Sequence, residues 1–378
     1  MTPDDPDAAL VGVAGSRARL TTPALVLDRD ALDANIATMA AWCRRHGIGL
    51  RPHAKTHKSP DIARRQVAAG ALGQSCATLG EAEAMVAAGI PGVLVTSPMT
   101  TPDKVRRVAA LAARGRDVAI AVDDAGNADA LGAAARAAGA TLGVLVDVEV
   151  GSGRSGVTSP EAACALARHA AAIEGLRFLG IQAYNGAIQS VPDVAERRAK
   201  AGAMYALLHD LKGRLAQLGL KPERISGGGT GTHDLDRESG VFTEVQAGSY
   251  AVMDAIYNAA ALRIAERAPF RTALFVRATV NSATHAGFVT TDAGYKAFAA
   301  DSGPPLLAAG APPGATYAFM GDEHGRVTFA RAGETLPPGA GVECIAPHCD
   351  PTINLYDAYR VVQGDTLVAL WPIARGRW

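Results

Sequence analysis

Lysine is scarce in this chain, with seven residues against thirty arginines. A lysine in an apolar setting therefore stands out, because an amine that loses its proton in a partly buried site can form a Schiff base and a guanidinium cannot. Surplus charge is missing too. The 37 basic residues equal the 37 acidic ones, which argues against nucleic acid or an anionic membrane as the main partner, since both select a basic excess. A small-molecule ligand is the expectation. Cysteine is sparse: Cys43, Cys76, Cys164, Cys344 and Cys349 are odd in number and lack CxxC spacing. That excludes a disulfide framework and a four-thiolate zinc site, and it predicts reduced thiols in a cytoplasmic protein. No uncharged apolar run reaches membrane-spanning length, and the N-terminus carries acids where a signal peptide has a basic segment, so neither membrane insertion nor export is expected.

What is present is alternation. Residues 22–28 read as a strand, followed by a helix with Leu32, Ile36, Met39 and Cys43 on one face. Short apolar segments then recur at 48–53, 72–77, 93–96, 117–122, 142–148, 177–183, 223–226 and 242–247, mostly separated by alanine-rich helical stretches. Ser59, Thr101 and Ser159 each precede a proline and an acid, the pattern of a capped helix start. Eight such strands predict an α/β fold with a (β/α)8 TIM-type barrel over residues 30–265, although an open doubly wound sheet gives a similar pattern. Beyond it come short β-branched runs at 271–281, 287–292, 316–320, 326–330, 340–346 and 359–370, broken by Gly and Pro. Residues 266–378, with 1–29, therefore read as a mostly-β domain, and the first strand is expected to pair within it.

In a barrel, polar residues at the C-terminal ends of the strands face one site. Here they are Lys55, Thr78, Thr96, Asp123, Arg154, Tyr184 with Asn185, Gly227–Gly231 and Gln246–Tyr250. Lys55 follows an apolar segment, so it is either a Schiff-base lysine or a snorkelling surface residue. The loops after the seventh and eighth strands, Ser226-Gly-Gly-Gly-Thr-Gly-Thr232 and Gln246-Ala-Gly-Ser-Tyr250, are either tight turns or phosphate cradles. As cradles they would use backbone amides, with Thr230 and Ser249 adding hydroxyls. Gly151-Ser-Gly-Arg-Ser-Gly156 matches a dinucleotide fingerprint by letter but follows the fifth strand, and no acid ends the next one. Arg154 is then a fixed cation facing an anionic ligand or a salt-bridged loop residue, and Tyr184 packs on a cofactor ring or fills the barrel mouth. Near the C-terminus, His348 and Asp350 share a face if the chain there is extended, as Pro351 favours. They form half of a divalent metal site or a hydrogen-bonded pair. Asp322-Glu323-His324 reads as an exposed turn or a source of a base.

Taken in order, Arg51-Pro-His-Ala-Lys-Thr-His-Lys58, Gly151–Val157, Gln182-Ala-Tyr184, Ser226–Gly231, Gln246–Tyr250 and Pro347-His-Cys-Asp-Pro-Thr352 resemble the D-threonine aldolase and D-serine dehydratase family, over nearly the whole chain. The resemblance implies an alanine-racemase-like fold of the pyridoxal 5'-phosphate enzymes. Lys55 would carry the cofactor, Arg154 would lie near its phenolic oxygen, and Tyr184 and Gln246 would line its ring. Gly228, Gly229, Thr230, Gly231, Gly248, Ser249 and Tyr250 would hold its phosphate. His348 and Asp350 would bind a divalent ion, Mn, Mg, Zn or Co. Within the family, aldolases resemble His-x-Asp and dehydratases His-x-Cys, so Asp350 implies metal-dependent cleavage of D-β-hydroxy-α-amino acids to glycine and an aldehyde, in a homodimer. D-serine dehydration and 3-hydroxy-D-aspartate cleavage are the alternatives within the family. A non-catalytic pyridoxal phosphate barrel and a metal-dependent lyase lacking that cofactor are the alternatives outside it. Gln189-Ser190 stands where the aldolases have Gln-His, which leaves the general base unassigned.

Overall fold

The structure is a computed structural model that describes residues 5–115, 117–260, 262 and 269–374; the expected boundary at 265/266 lies outside them. The chain divides into two compact units. One is chiefly Ala37–Gly248, and the other gathers the residues up to Ile36 with Ser249–Ala259 and Pro269–Ile373.

After β1 (Ala24–Asp28), the larger unit contains β2 (Gly49–Leu50), β3 (Gln74–Cys76), β4 (Val93–Val95), β5 (Ala119–Val122), β6 (Leu142–Asp147), β7 (Leu176–Ala183), β8 (Arg224–Gly227) and β9 (Glu244–Val245). These are the eight predicted strands. All pairings are parallel, in the order β2-β9-β8-β7-β6-β5-β4-β3. The two ends of this sheet meet through a parallel bridge between His53 and Ser75, with Leu72 donating to the Leu50 carbonyl and Ser75 to that of Pro52, both at 2.8 Å. Those bonds close the barrel and exclude the open sheet. Every residue of β4, β5 and β6 is buried, as parallel strands covered by helices must be. Thr101 and Ser159 cap their helices as expected, accepting the N–H of Lys104 at 3.5 Å and of Ala162 at 3.1 Å. Ser59 occupies its N-cap position without a cap bond. There the chain leaves a turn in which Lys58 has φ +47°, and the Ser59 N–H goes to His57 Nδ1 at 3.0 Å.

The other unit holds β10 (Leu274–Ser282), β11 (Phe288–Thr291), β12 (Leu306–Ala309), β13 (Thr316–Phe319), β14 (Gly325–Thr328), β15 (Gly341–Ile345), β16 (Ala358–Gln363) and β17 (Thr366–Pro372). The sheet order is β13-β14-β11-β10-β1-β16-β17, with β15 pairing β10 and β12. The first strand does join this sheet, antiparallel to β10 and parallel to β16. Two details differ from expectation. The run at 359–370 is a hairpin that turns at Gly364, where φ is +58°. The edge strand β12 was not anticipated, because Leu-Leu-Ala-Ala carries no β-branched residue to mark it.

Candidate active site

Lys55 lies in the turn that follows the His53–Ser75 bridge, at the C-terminal end of the barrel strands. It lines a pocket with His53, Ala77, Thr96, Ser97, Arg154, Gln182, Tyr184 and Gln246. Lys55 Nζ is 5.7 Å and Arg154 Cζ 5.6 Å from the centre of the Tyr184 ring, so both cations lie within cation–π range of one aromatic ring. His53 is neutral there. Burial pushes its pKa well below the ordinary value, and the charges of Lys55, Arg154 and His57 push it further. Its Nδ1 accepts the Lys55 backbone N–H at 3.3 Å, which places the proton on Nε2, 3.3 Å from Thr96 Oγ1. Thr96 in turn donates to the Cys76 carbonyl at 3.1 Å. The chain of bonds fixes both ring tautomer and the start of the lysine turn.

Below the pocket the barrel interior is polar. Arg51 binds Glu244 through Nε at 2.8 Å and Nη2 at 3.0 Å, and also donates to the Gly92 carbonyl. Ser226 donates to Glu244 at 2.7 Å, and Gln246 Nε2 donates to Ser226 at 2.9 Å. Burial opposes the charge on Glu244, yet Arg51 and the Ser226 hydroxyl together hold its carboxyl below the usual range. Gln182 Nε2 is shared between Asp147 and the Thr96 carbonyl, both at 2.9 Å. Asp147, whose pKa is raised by burial, also accepts from Ser155 at 2.8 Å. The network thus orients Gln182 and Gln246 and tethers the Arg154 loop.

That loop explains why the glycine fingerprint is not a nucleotide site. The Glu149 carboxylate accepts the N–H groups of Gly151 at 2.5 Å, Ser152 at 2.6 Å and Arg154 at 3.3 Å. The amides that a pyrophosphate would need are taken by the protein itself. Three other strand-end residues have structural employment. Thr78 and Glu81 form a capping box, Asp123 accepts the Gly156 N–H at 3.1 Å, and Asn185 donates to the Val150 carbonyl at 3.0 Å.

The loop after β8 requires its glycines. A Cβ on Gly227 would enter the Ala183 carbonyl, one on Gly228 (φ +65°) the Asp236 carboxylate, and one on Gly231 the Gln189 carbonyl. Gly231 N–H donates to Gln189 Oε1 at 3.0 Å, and Gly229 N–H to Thr232 Oγ1 at 3.3 Å. Those two amides serve the fold, and Thr230 is buried beside them. After β9, a Cβ on Gly248 would lie 2.5 Å from Thr56 Oγ1, a buried hydroxyl without a partner among the described residues. Ser249 and Tyr250 belong to the smaller unit; Ser249 Oγ donates to Asp350 Oδ1 at 3.4 Å, and Tyr250 packs on Phe270.

His348 and Asp350 are also in the smaller unit. The expectation of extended chain fails: His348 is extended, but Cys349–Ile353 is a short helix with Asp350 in its first turn. Pro351 is tolerated there because the first turn has no use for its N–H. Strand alternation is therefore not what orients the pair. His348 Nδ1 is held by Asp301 Oδ2 at 2.7 Å, and the Cys349 N–H by Asp254 Oδ2 at 2.8 Å. Among the described residues, no three His, Cys, Asp or Glu side chains gather around a point that would hold a metal. Asp322, Glu323 and His324 form an exposed turn, with Glu323 paired to Lys296 at 2.6 Å.

Residues 27–255 match the alanine racemase N-terminal domain, and 273–362 match a putative serine dehydratase domain. The chain is 40% identical over 366 residues to D-threonine aldolase of Arthrobacter sp, covering 95% of this chain and 94% of that one. It belongs to the D-threonine aldolase and D-serine dehydratase family. It is thus a pyridoxal phosphate-dependent lyase of alanine-racemase-like fold. A second family member, 3-hydroxy-D-aspartate aldolase of Paracoccus denitrificans (strain Pd 1222), is 39% identical, with 95% of this chain and 93% of that one covered. The crystal structure of D-threonine aldolase from Filomicrobium marinum superposes with a TM-score of 0.90 at 40% identity, covering 95% of this chain and 96% of the other.

The pocket suits the family's cofactor on its own chemistry: an amine for the aldehyde, an aromatic face, a guanidinium, and two buried amides oriented by Asp147 and Ser226. His348 and Asp350 offer a nitrogen and an oxygen donor, with Asp301 placed on the far ring nitrogen as a metal-ligating imidazole needs. Sequence reasoning did not single out His53, Glu149, Asp254 or Asp301, and it named Gln189 only as the neighbour of Ser190. Only His53 carried a signal, two residues before the suspected lysine.

Proposed function

We propose that the chain is a D-threonine aldolase dependent on pyridoxal phosphate and a divalent ion, cleaving D-β-hydroxy-α-amino acids between Cα and Cβ. The observation that carries this is the meeting of Lys55 and Arg154 at the Tyr184 ring, in a chain that also presents His348-x-Asp350. When bound, the cofactor supplies an electron sink for the pair released at Cα. Lys55 Nζ would hold the cofactor through its aldehyde carbon. His53, kept neutral and bonded to the Lys55 N–H, holds the lysine turn in place without adding a competing charge. Tyr184 walls the pocket, and Gln182 and Gln246 present fixed amides to it.

His348 and Asp350 would ligate Mn, Mg, Zn or Co, which acidifies the substrate β-hydroxyl. The hydroxyl proton passes to water, the oxygen becomes the aldehyde carbonyl, the Cα–Cβ pair moves to Cα, and a proton returned from water to Cα gives glycine. Ser190 is exposed and a poor base at neutral pH, so position 190 does not take that proton. The working unit is a cytoplasmic homodimer.

Purified enzyme given D-threonine should yield glycine and acetaldehyde in equal amounts. Chelator should abolish this and added Mn restore it, while borohydride should leave a reduced adduct on Lys55 that Lys55→Ala lacks. Pyruvate from D-serine without glycine from D-threonine would reject the aldolase assignment. Because the 3-hydroxy-D-aspartate aldolase is nearly as similar, that substrate belongs in the same assay, with glyoxylate as its product.

A further inference from the structure

Gln189 sits on the turn after Tyr184, buried, with its N–H bonded to the Gly186 carbonyl at 3.2 Å. Its side-chain amide is fully used. Oε1 accepts the Gly231 N–H at 3.0 Å, and Nε2 donates to the Asn185 carbonyl at 3.2 Å and to Thr232 Oγ1 at 3.0 Å. Thr232 has one hydroxyl proton, and the short 2.6 Å bond to Asp236 Oδ2 takes it. Thr232 Oγ1 also accepts the Gly229 N–H at 3.3 Å. Gln189 therefore bonds one end of the glycine-rich loop directly and the other through Thr232. There is no space between the two segments: a Cβ on Gly231 would enter the Gln189 carbonyl, and one on Gly229 its side-chain oxygen. In the barrel these segments follow adjacent strands, β7 and β8.

We infer that Gln189 is a positioning residue that locks the glycine-rich loop to the Tyr184 segment and thereby sets how tightly the phosphate end of the cofactor is held. This rests on the cofactor assignment of the proposed function and on the glycine-rich loop holding the cofactor's phosphate, which the family resemblance implies. A loop shaped before the ligand arrives loses less conformational freedom on binding. Gln189 is not among the residues that line the Lys55 pocket, so its effect should fall on cofactor retention rather than on chemistry at saturating cofactor.

The test compares full-length wild type with Gln189→Met, which keeps the length of the side chain but neither donor nor acceptor, and with Gln189→Glu, which keeps the acceptor for Gly231. Dissociation constants are measured by absorbance for pyridoxal phosphate and for pyridoxal, which lacks the phosphate. Wild type should prefer the phosphorylated form strongly. Gln189→Met removes all three side-chain bonds and should shrink that preference by about ten-fold, the weight of leaving the Gly231 N–H of the loop buried without its acceptor. Gln189→Glu should fall between the two. A merely structural role would weaken both ligands equally, so an unchanged preference in either variant overturns the inference. The Glu variant keeps the test decisive if the Met variant does not fold. Wild type that takes up no cofactor on Lys55 would instead overturn the cofactor assignment, and the inference with it.

Discussion

Asp236 is a carboxyl whose surroundings set its charge. It is wholly buried behind the glycine-rich loop, and burial lifts its pKa to about 7, against the pull of the Thr232 and Tyr205 hydroxyls. An acid whose folded pKa exceeds the unfolded value of about 3.9 adds stability below that value and loses it as pH rises through the folded pKa. The loss therefore falls between about pH 4 and about pH 7. Asp236→Asn removes that titration, so thermal midpoints of variant and wild type should diverge in favour of the variant between about pH 4 and about pH 7; a parallel course would contradict the assignment. The same dependence on surroundings separates the residues that were legible from those that were not. Lys55 stood out because lysine is rare. Gln189 and Asp301 could not, because their partners, Thr232 and His348, lie 43 and 47 residues away in the chain.

Among the elements, the loop after β8 and the helix Val194–Gln217 use glycine for opposite reasons. Gly231 is glycine because backbone abuts backbone there, whereas a Cβ on Gly202 would meet nothing within 4 Å. Gly231→Ala should cost more than about 2 kcal/mol, since neither carbonyl nor loop has room to withdraw. Gly202→Ala should instead stabilise by about 0.5–1 kcal/mol by restricting the unfolded chain. Urea denaturation of both variants gives the two signs directly, and a Gly231→Ala protein as stable as wild type would refute the packing argument. The glycine run was visible in the sequence as punctuation after a strand. What it packs against was not, and neither was the short helix at Cys349–Ile353, where a proline next to Asp350 suggested extended chain. Short elements are decided by what holds their ends, here Asp254 on the Cys349 N–H.

For the molecule as a whole, the pairing of β2 with β9 brings Arg51, the residue after β2, against Glu244 and buries both. Removing one partner of such a pair leaves a buried charge uncompensated, so Glu244→Gln should cost about 3–5 kcal/mol at pH 7. The carboxyl is held below its usual range. Its contribution is therefore present above the unfolded value of about 4.3 and lost as pH falls through the folded pKa. The gap to wild type in chemical denaturation should narrow below about pH 4, and a constant gap would show that the charge is not what matters. By itself the sequence determined the eight strands and the strand-end positions of Lys55, Arg154, Tyr184 and Gln246, because the period of apolar residues and the capping signals are local properties of the chain. Only the tertiary structure decided that the sheet closes at His53 and Ser75, that His53 is neutral, that Glu149 fills its own glycine loop, and that Gln189 grips the next one. Those outcomes depend on burial and on hydrogen bonds whose partners are brought together by folding, and no local pattern encodes the distance between them.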